Sequence, residues 1–156
     1  MDSLDREILR CAEPIEGIAA LLVFGSRARG TARPDSDLDV AVLPASEDSG
    51  ARRRLQSVLA VAVADLAPVG RVDVVLLDEA PELLRQRVFE TGRLLLCRDR
   101  IALRDLRVRT MREHGDREWA RDLMMEAQRR RLERGDFGGR SARALESLER
   151  TGRLSR

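Results

Sequence analysis

Four short apolar runs alternate with helical stretches along this chain, and that alternation restricts it to a single sheet covered by helices. The runs are "AALLVF" (19–24, stopped by Gly25), "SDLDVAVL" (36–43, closed by Pro44), "VDVVLL" (72–77) and "RLLLC" (93–97). Each has the length and near-continuous apolar character of a strand buried on both sides. Residues 51–67 place Leu55, Val58, Leu59, Ala62 and Leu66 at i, i+3, i+4, i+7 and i+11, an amphipathic helix stopped by Pro68-Val69-Gly70. Helices are also predicted over 3–12, capped by Asp2 or Ser3, and over 81–91, opened by Pro81 and stopped by Gly92. Residues 26–34 read as a turn or a short helical piece. From Asp99 to about Arg134 the pattern is helical, with a break expected near Gly115, and "GDFGG" (135–139) reads as a hinge before an Arg-rich tail. The expected architecture is an α/β (α+β) domain over residues 1–98, with a small mixed sheet of about four strands, and a C-terminal helical extension over 99–156.

The second strand breaks its own pattern. Asp37 and Asp39 interrupt an otherwise apolar run, and strand residues two apart project to the same side of a sheet. Two carboxylates so close repel each other, and one tends to hold a proton. A divalent cation removes that conflict, and carboxylates with water and phosphate oxygens are how proteins hold Mg²⁺. Asp73 supplies a third carboxylate at the start of the next strand. If the two strands are neighbours, Asp37, Asp39 and Asp73 share one face. Such a set can hold two metals about 3.5–4 Å apart, the arrangement used in nucleotidyl transfer. Asp78, the competing carboxylate, reads as a helix cap.

Gly25 and Ser26 follow the first strand directly. A glycine there lets the backbone approach a ligand closely, and a helical turn starting at Ser26 would aim amides at an anion. Arg27, Arg29 and Arg33 could add charge for a triphosphate, while Asp35 and Ser36 read as turn formers. The chain contains no lysine, so any anion grip must use guanidinium groups or backbone amides.

The remaining composition narrows the classes. A formal net charge of +2 gives no ground for direct nucleic-acid binding. No run reaches the roughly 18–20 apolar residues of a membrane helix, and "MDSLDREILR" lacks the character of a secretory leader. Cys11 and Cys97 have no metal-ligand spacing and read as reduced, buried thiols, consistent with a cytoplasmic protein. His114 reads as a surface residue, and Met111, Trp119, Leu123, Met124 and Met125 as a packing face.

The stretch "GSRARGTARPDSDLDVAV" resembles the nucleotidyltransferase signature of DNA polymerase β-like enzymes: Gly-Ser, a glycine several residues on, then Asp-x-Asp on the following strand. It is most similar to the minimal nucleotidyltransferases, many of which are antitoxins of HEPN-domain toxins. The likeness extends to "VDVVLLDEAP" and "LLRQRVFETGRLLL" and covers about residues 15–100. The resemblance implies a polymerase β-like fold, a triphosphate held by Gly25 and Ser26, Mg²⁺ held by Asp37 and Asp39, and Asp73 completing the metal site or activating the acceptor hydroxyl. It further implies ATP as substrate, transfer of AMP to a tyrosine of a HEPN-type toxin, and a hetero-oligomer with that toxin. Because the chain contains no tyrosine, a tyrosine acceptor must lie on another chain. Two other uses of such a protein stand beside this one. It could adenylylate a small molecule such as an aminoglycoside, against which the short C-terminal part speaks. It could also neutralise its partner by binding alone, against which the intact acidic set speaks.

Overall fold

Strand β1 (Ile18–Phe24) is buried along its whole length, so it occupies the middle of a sheet covered on both faces. The computed structural model describes residues 2–33, 35–66 and 71–133, with side chains as far as residue 130. Strand β2 (Leu38–Pro44) and strand β4 (Arg93–Cys97) flank β1, both antiparallel to it. Strand β3 (Val72–Leu76) runs parallel to β2 at the edge, giving the order β3-β2-β1-β4. A parallel neighbour needs a crossover. Helix α3 (Ser49–Ala62), followed by a 3-10 turn over Ala64–Leu66, provides it.

The two faces carry separate cores. Alternate residues of the central strands, among them Leu21, Val23, Leu38, Val40 and Val42, meet Ile8 and Ala12 of helix α1 (Ser3–Ala12) and Leu55 and Leu59 of α3. On the other face Leu22, Phe24, Ala41 and Leu43 meet Val88 of helix α4 (Glu82–Thr91) and Leu106 of helix α5 (Arg100–Glu133). The strand runs are legible in the sequence because both sides of each are apolar. The helix facing the first core is rotated from its expected stripe. Val63 is fully buried beside Leu55 and Leu59, an i, i+4, i+8 row, while Val58 is 51% exposed. The expected helix stop at Pro68-Val69-Gly70, the "GDFGG" hinge and the Arg-rich tail lie outside the described residues.

Residues divide into two units, Met1–His114 and Gly115–Arg156. The first contains the whole sheet and the start of α5. His114 belongs to it and is not a free surface residue: its Nδ1 lies 2.7 Å from Glu82 Oε1, and Glu113 beside it pairs with the nearly buried Arg85. In the second unit, the described residues continue α5 as helix, without the break expected at Gly115. Trp119, Leu123, Met124 and Met125 there are exposed, as is Met111 in the first unit. Cys11 and Cys97 are free, as expected, and half-buried.

One side chain joins the N-terminal helix to the turn after β1. Asp2 and Asp5 close the first turn of α1 in a capping box. Arg93, the first residue of β4, donates to both carboxylates, at 2.9 Å and 2.7 Å. Through its other nitrogen it donates to the carbonyls of Arg27 and Ala28. Asp5 is only 2% exposed, so removing its cation strands a buried charge. Arg93→Ala is expected to lower unfolding stability by about 3 kcal/mol in urea titration. Adding Asp5→Asn should return part of that loss, and no recovery would show that the charge on Asp5 is not the problem.

Candidate active site

The parallel pairing of β2 and β3 sets Asp39 directly opposite Asp73. Residues paired across neighbouring strands share a face, so both carboxylates stand on the side of the sheet covered by α4. Asp37 precedes β2 rather than lying within it, because its polar groups are taken by a loop. Its Oδ1 accepts from the Arg71 amide at 2.8 Å, and the ladder begins one residue later, where the Leu38 amide donates to the Arg71 carbonyl at 2.7 Å. The three aspartates nonetheless line one cleft of about 640 Å³, together with Gly25, Ser26, Arg29 and Arg33 from the turn after β1.

Gly25 is required twice over. Its φ is +73°, a conformation that side chains with a Cβ rarely adopt. A Cβ there would also lie 1.9 Å from Oδ2 of Asp39. The register explains the closeness: Asp39 pairs with Phe24 across β1 and β2, so its carboxylate lies against the residue that follows. The turn continues as the short helical piece α2 (Gly25–Ala28). It is closed by hydrogen bonds from the Thr31 amide to the Ser26 carbonyl (3.0 Å) and between Arg33 and Ser36. Ser36 is thus the turn former expected of it.

The arginines of this region divide by what holds them. Arg27 donates to the carbonyls of Ser36, at 2.6 Å, and Asp37, at 3.2 Å. It fastens the loop to the start of β2 and is not among the residues lining the cleft. Arg29 does line it, as expected. Arg87 of α4 also lines the cleft and was not singled out from the sequence, where it reads as one of several charges on an amphipathic helix. Asp78 is no helix cap: both its oxygens accept from Arg52 at 2.7 Å, and Pro81 occupies the cap position of α4.

Burial pushes the Asp39 carboxyl above its ordinary value of 3.8, Asp73 and Asp37 push it further, and Arg29 and Arg27 pull against them. Among the described residues no three His, Cys, Asp or Glu side chains form a ready-made metal cluster. The donor set itself fits magnesium: the cleft offers the carboxylates of Asp35, Asp37, Asp39 and Asp73, and no histidine or cysteine lines it.

The strand–turn–strand thus sets Gly25 and Ser26 against Asp39, with Asp73 on the parallel neighbour, in one cleft. The chain belongs to the polymerase beta nucleotidyltransferase family, whose profile matches residues 6–101. No curated protein sequence matches it. Among solved structures, it is similar to a toxin–antitoxin complex with AMP-PNP: 27% identity, TM-score 0.59, covering 79% of this chain and 96% of that one. It is also similar to a chain of the tri-AMPylated Shewanella oneidensis HEPN toxin in complex with an MNT antitoxin, at 25% identity and TM-score 0.54, over 80% of this chain and 94% of that one. The toxin–antitoxin complex MntA–HepT matches at 25% identity and TM-score 0.53, over 80% and 95%. No helix among the described residues is long and apolar enough to cross a membrane.

Two variants test the site's internal logic. Gly25→Ala is expected to destabilise the fold by at least about 1–2 kcal/mol, and Gly25→Ala with Asp39→Ala should recover only the steric part of that loss. Full recovery would mean that the positive φ does not matter. For Asp39 the raised value means that the folded protein binds this proton more tightly than the unfolded chain does. Its contribution to stability is therefore present below 3.8 and is lost as pH rises through the raised value. Asp39→Asn should raise Tm at neutral pH in the presence of a chelator and flatten the decline in Tm with rising pH. A lower neutral-pH Tm than wild type contradicts this account of the carboxylate.

Proposed function

We propose that this protein is the antitoxin of a HEPN/MNT pair, and that it silences a HEPN-type toxin by transferring AMP from ATP to a tyrosine hydroxyl of that partner. The observation that carries the reading is the register of Asp39 against Asp73 beside the Gly25–Ser26 turn, within one cleft. The nucleotide and the partner are supported by the similar structures, one described with AMP-PNP and another with an AMPylated HEPN toxin. The chain has no tyrosine of its own, which accords with an acceptor on another molecule. On this reading the protein works in the cytoplasm, in complex with its toxin.

In the transfer, the acceptor oxygen attacks the α-phosphorus of ATP, the bond from that phosphorus to the bridging oxygen breaks, and pyrophosphate leaves. Asp37, Asp39 and Asp73 would hold Mg²⁺, one ion or two, which neutralises phosphate charge as it shifts toward the leaving group. Gly25 brings the backbone close to the triphosphate, and Ser26 adds a hydroxyl donor. Arg29 supplies positive charge at the same side of the cleft. Asp73 is exposed at the start of β3, where its carboxylate can take the proton of the incoming hydroxyl. The chain contributes positioning and charge rather than a covalent intermediate.

The test combines α-labelled ATP, Mg²⁺ and a HEPN-type protein sought in the adjacent reading frames. Wild type should label the partner, and the Asp37→Ala/Asp39→Ala variant should label it at least about 10³-fold more slowly with an unchanged circular dichroism spectrum. Label persisting on the partner with that folded variant would sink the assignment. Label appearing on an added aminoglycoside, with none on protein, would move it to small-molecule adenylylation.

A further inference from the structure

Every cation in this chain other than the N-terminus and His114 is an arginine, so a side-chain cation that meets a triphosphate must be a guanidinium group. Arg29, Arg33 and Arg87 line the cleft, and several arginines outside its lining are already committed. Arg27 is held by two carbonyls, Arg93 by Asp2 and Asp5 together with two carbonyls, and Arg52 by Asp78 and Glu79. Arg87 differs. It is exposed and lines the cleft with Asp39 and Asp73, and its guanidinium makes no hydrogen bond or ion pair among the described residues.

Helix α4 presents Arg87 by its period. Leu84 and Arg87 are three apart, share a face of the helix, and both line the cleft. Arg85 turns away and is nearly buried against Glu113, while Val88, an i+4 neighbour of Leu84, anchors the helix in the core. Arg87 therefore stands on a packed helix, whereas Arg29 and Arg33 stand on the turn after β1. A side chain on a rigid element holds an anion with less loss of freedom.

Resting on the nucleotidyltransferase reading, we propose that Arg87 is a further substrate-binding residue and that its guanidinium grips the β- and γ-phosphates of the nucleoside triphosphate. The α-phosphate has to lie at the carboxylates, where the new bond forms. The two outer phosphates carry most of the charge and leave together as pyrophosphate, so they need a cation that no carboxylate has taken. A planar guanidinium offers them two parallel donors.

The experiment is isothermal titration of the full chain, without partner, with ATP, AMP and inorganic pyrophosphate in the presence of Mg²⁺. Arg87→Ala should weaken ATP and pyrophosphate about tenfold or more while leaving AMP within about twofold. Arg87→Lys, which keeps the charge and loses the fork, should fall between. The exposed Arg53 of α3 lines none of this cleft, so Arg53→Ala should leave all three affinities unchanged. ATP affinity within twofold of wild type for Arg87→Ala overturns the proposal, and a loss of affinity for the HEPN-type partner in that variant would assign the guanidinium to the acceptor protein. Equal weakening of ATP, pyrophosphate and AMP also overturns it, because it marks general damage to the cleft. Wild type that binds no ATP overturns the nucleotidyltransferase reading, and this proposal with it.

Discussion

Asp39 is half-buried, between two other carboxylates, on a sheet face that is otherwise core, and the layout of the cleft follows from accommodating it. The central strands supply the apolar support on either side, through Val40 and Val42 on one face and Ala41 and Leu43 on the other. Only a residue without a Cβ fits beside its carboxylate, and Gly25 is that residue, held at a positive φ. The contact that makes glycine necessary also brings the turn proposed to hold phosphate against the carboxylates proposed to hold metal. A backbone position open only to glycine and a raised carboxyl pKa are thus two consequences of one placement.

The arginines show how a lysine-free chain divides work among chemically identical groups. Some are structural because a buried carboxylate or loop carbonyls reach them, as with Arg93, Arg85 and Arg27. Others line the cleft with no partner among the described residues, as with Arg87. The difference lies in burial and in the geometry of neighbouring acceptors. A guanidinium with five donors is satisfied by whichever set of oxygens folding brings near.

Much of the architecture could be read before any coordinates. Strands β1, β2, β3 and β4 each announced themselves as apolar runs, and the central β1 and β2, covered on both faces, have almost no polar side to confuse the pattern. Helix α1 and its Asp2 cap were equally plain, because capping is local. The misreadings cluster where a distant partner decides. Asp78 looks like a cap until Arg52 reaches it, His114 looks like a surface residue until Glu82 is beside it, and Val58 looks buried until α3 is rotated to bury Val63. Gly115 lowers helix propensity by about 1 kcal/mol, too little to interrupt a helix of this length.

The sequence by itself determined which residues could do chemistry: a Gly-Ser after a strand, Asp37 and Asp39 in a run that should have been apolar, and Asp73 in another. These stand out because each departs from the hydrophobic pattern around it, and such departures are visible one residue at a time. Only the tertiary structure decided how they meet. The parallel pairing of β2 with β3 aligns Asp39 with Asp73, the antiparallel pairing of β1 with β2 presses Gly25 against Asp39, and α4 turns Arg87 into the cleft. Strand order and helix rotation are set by packing between segments tens of residues apart, which no local pattern encodes.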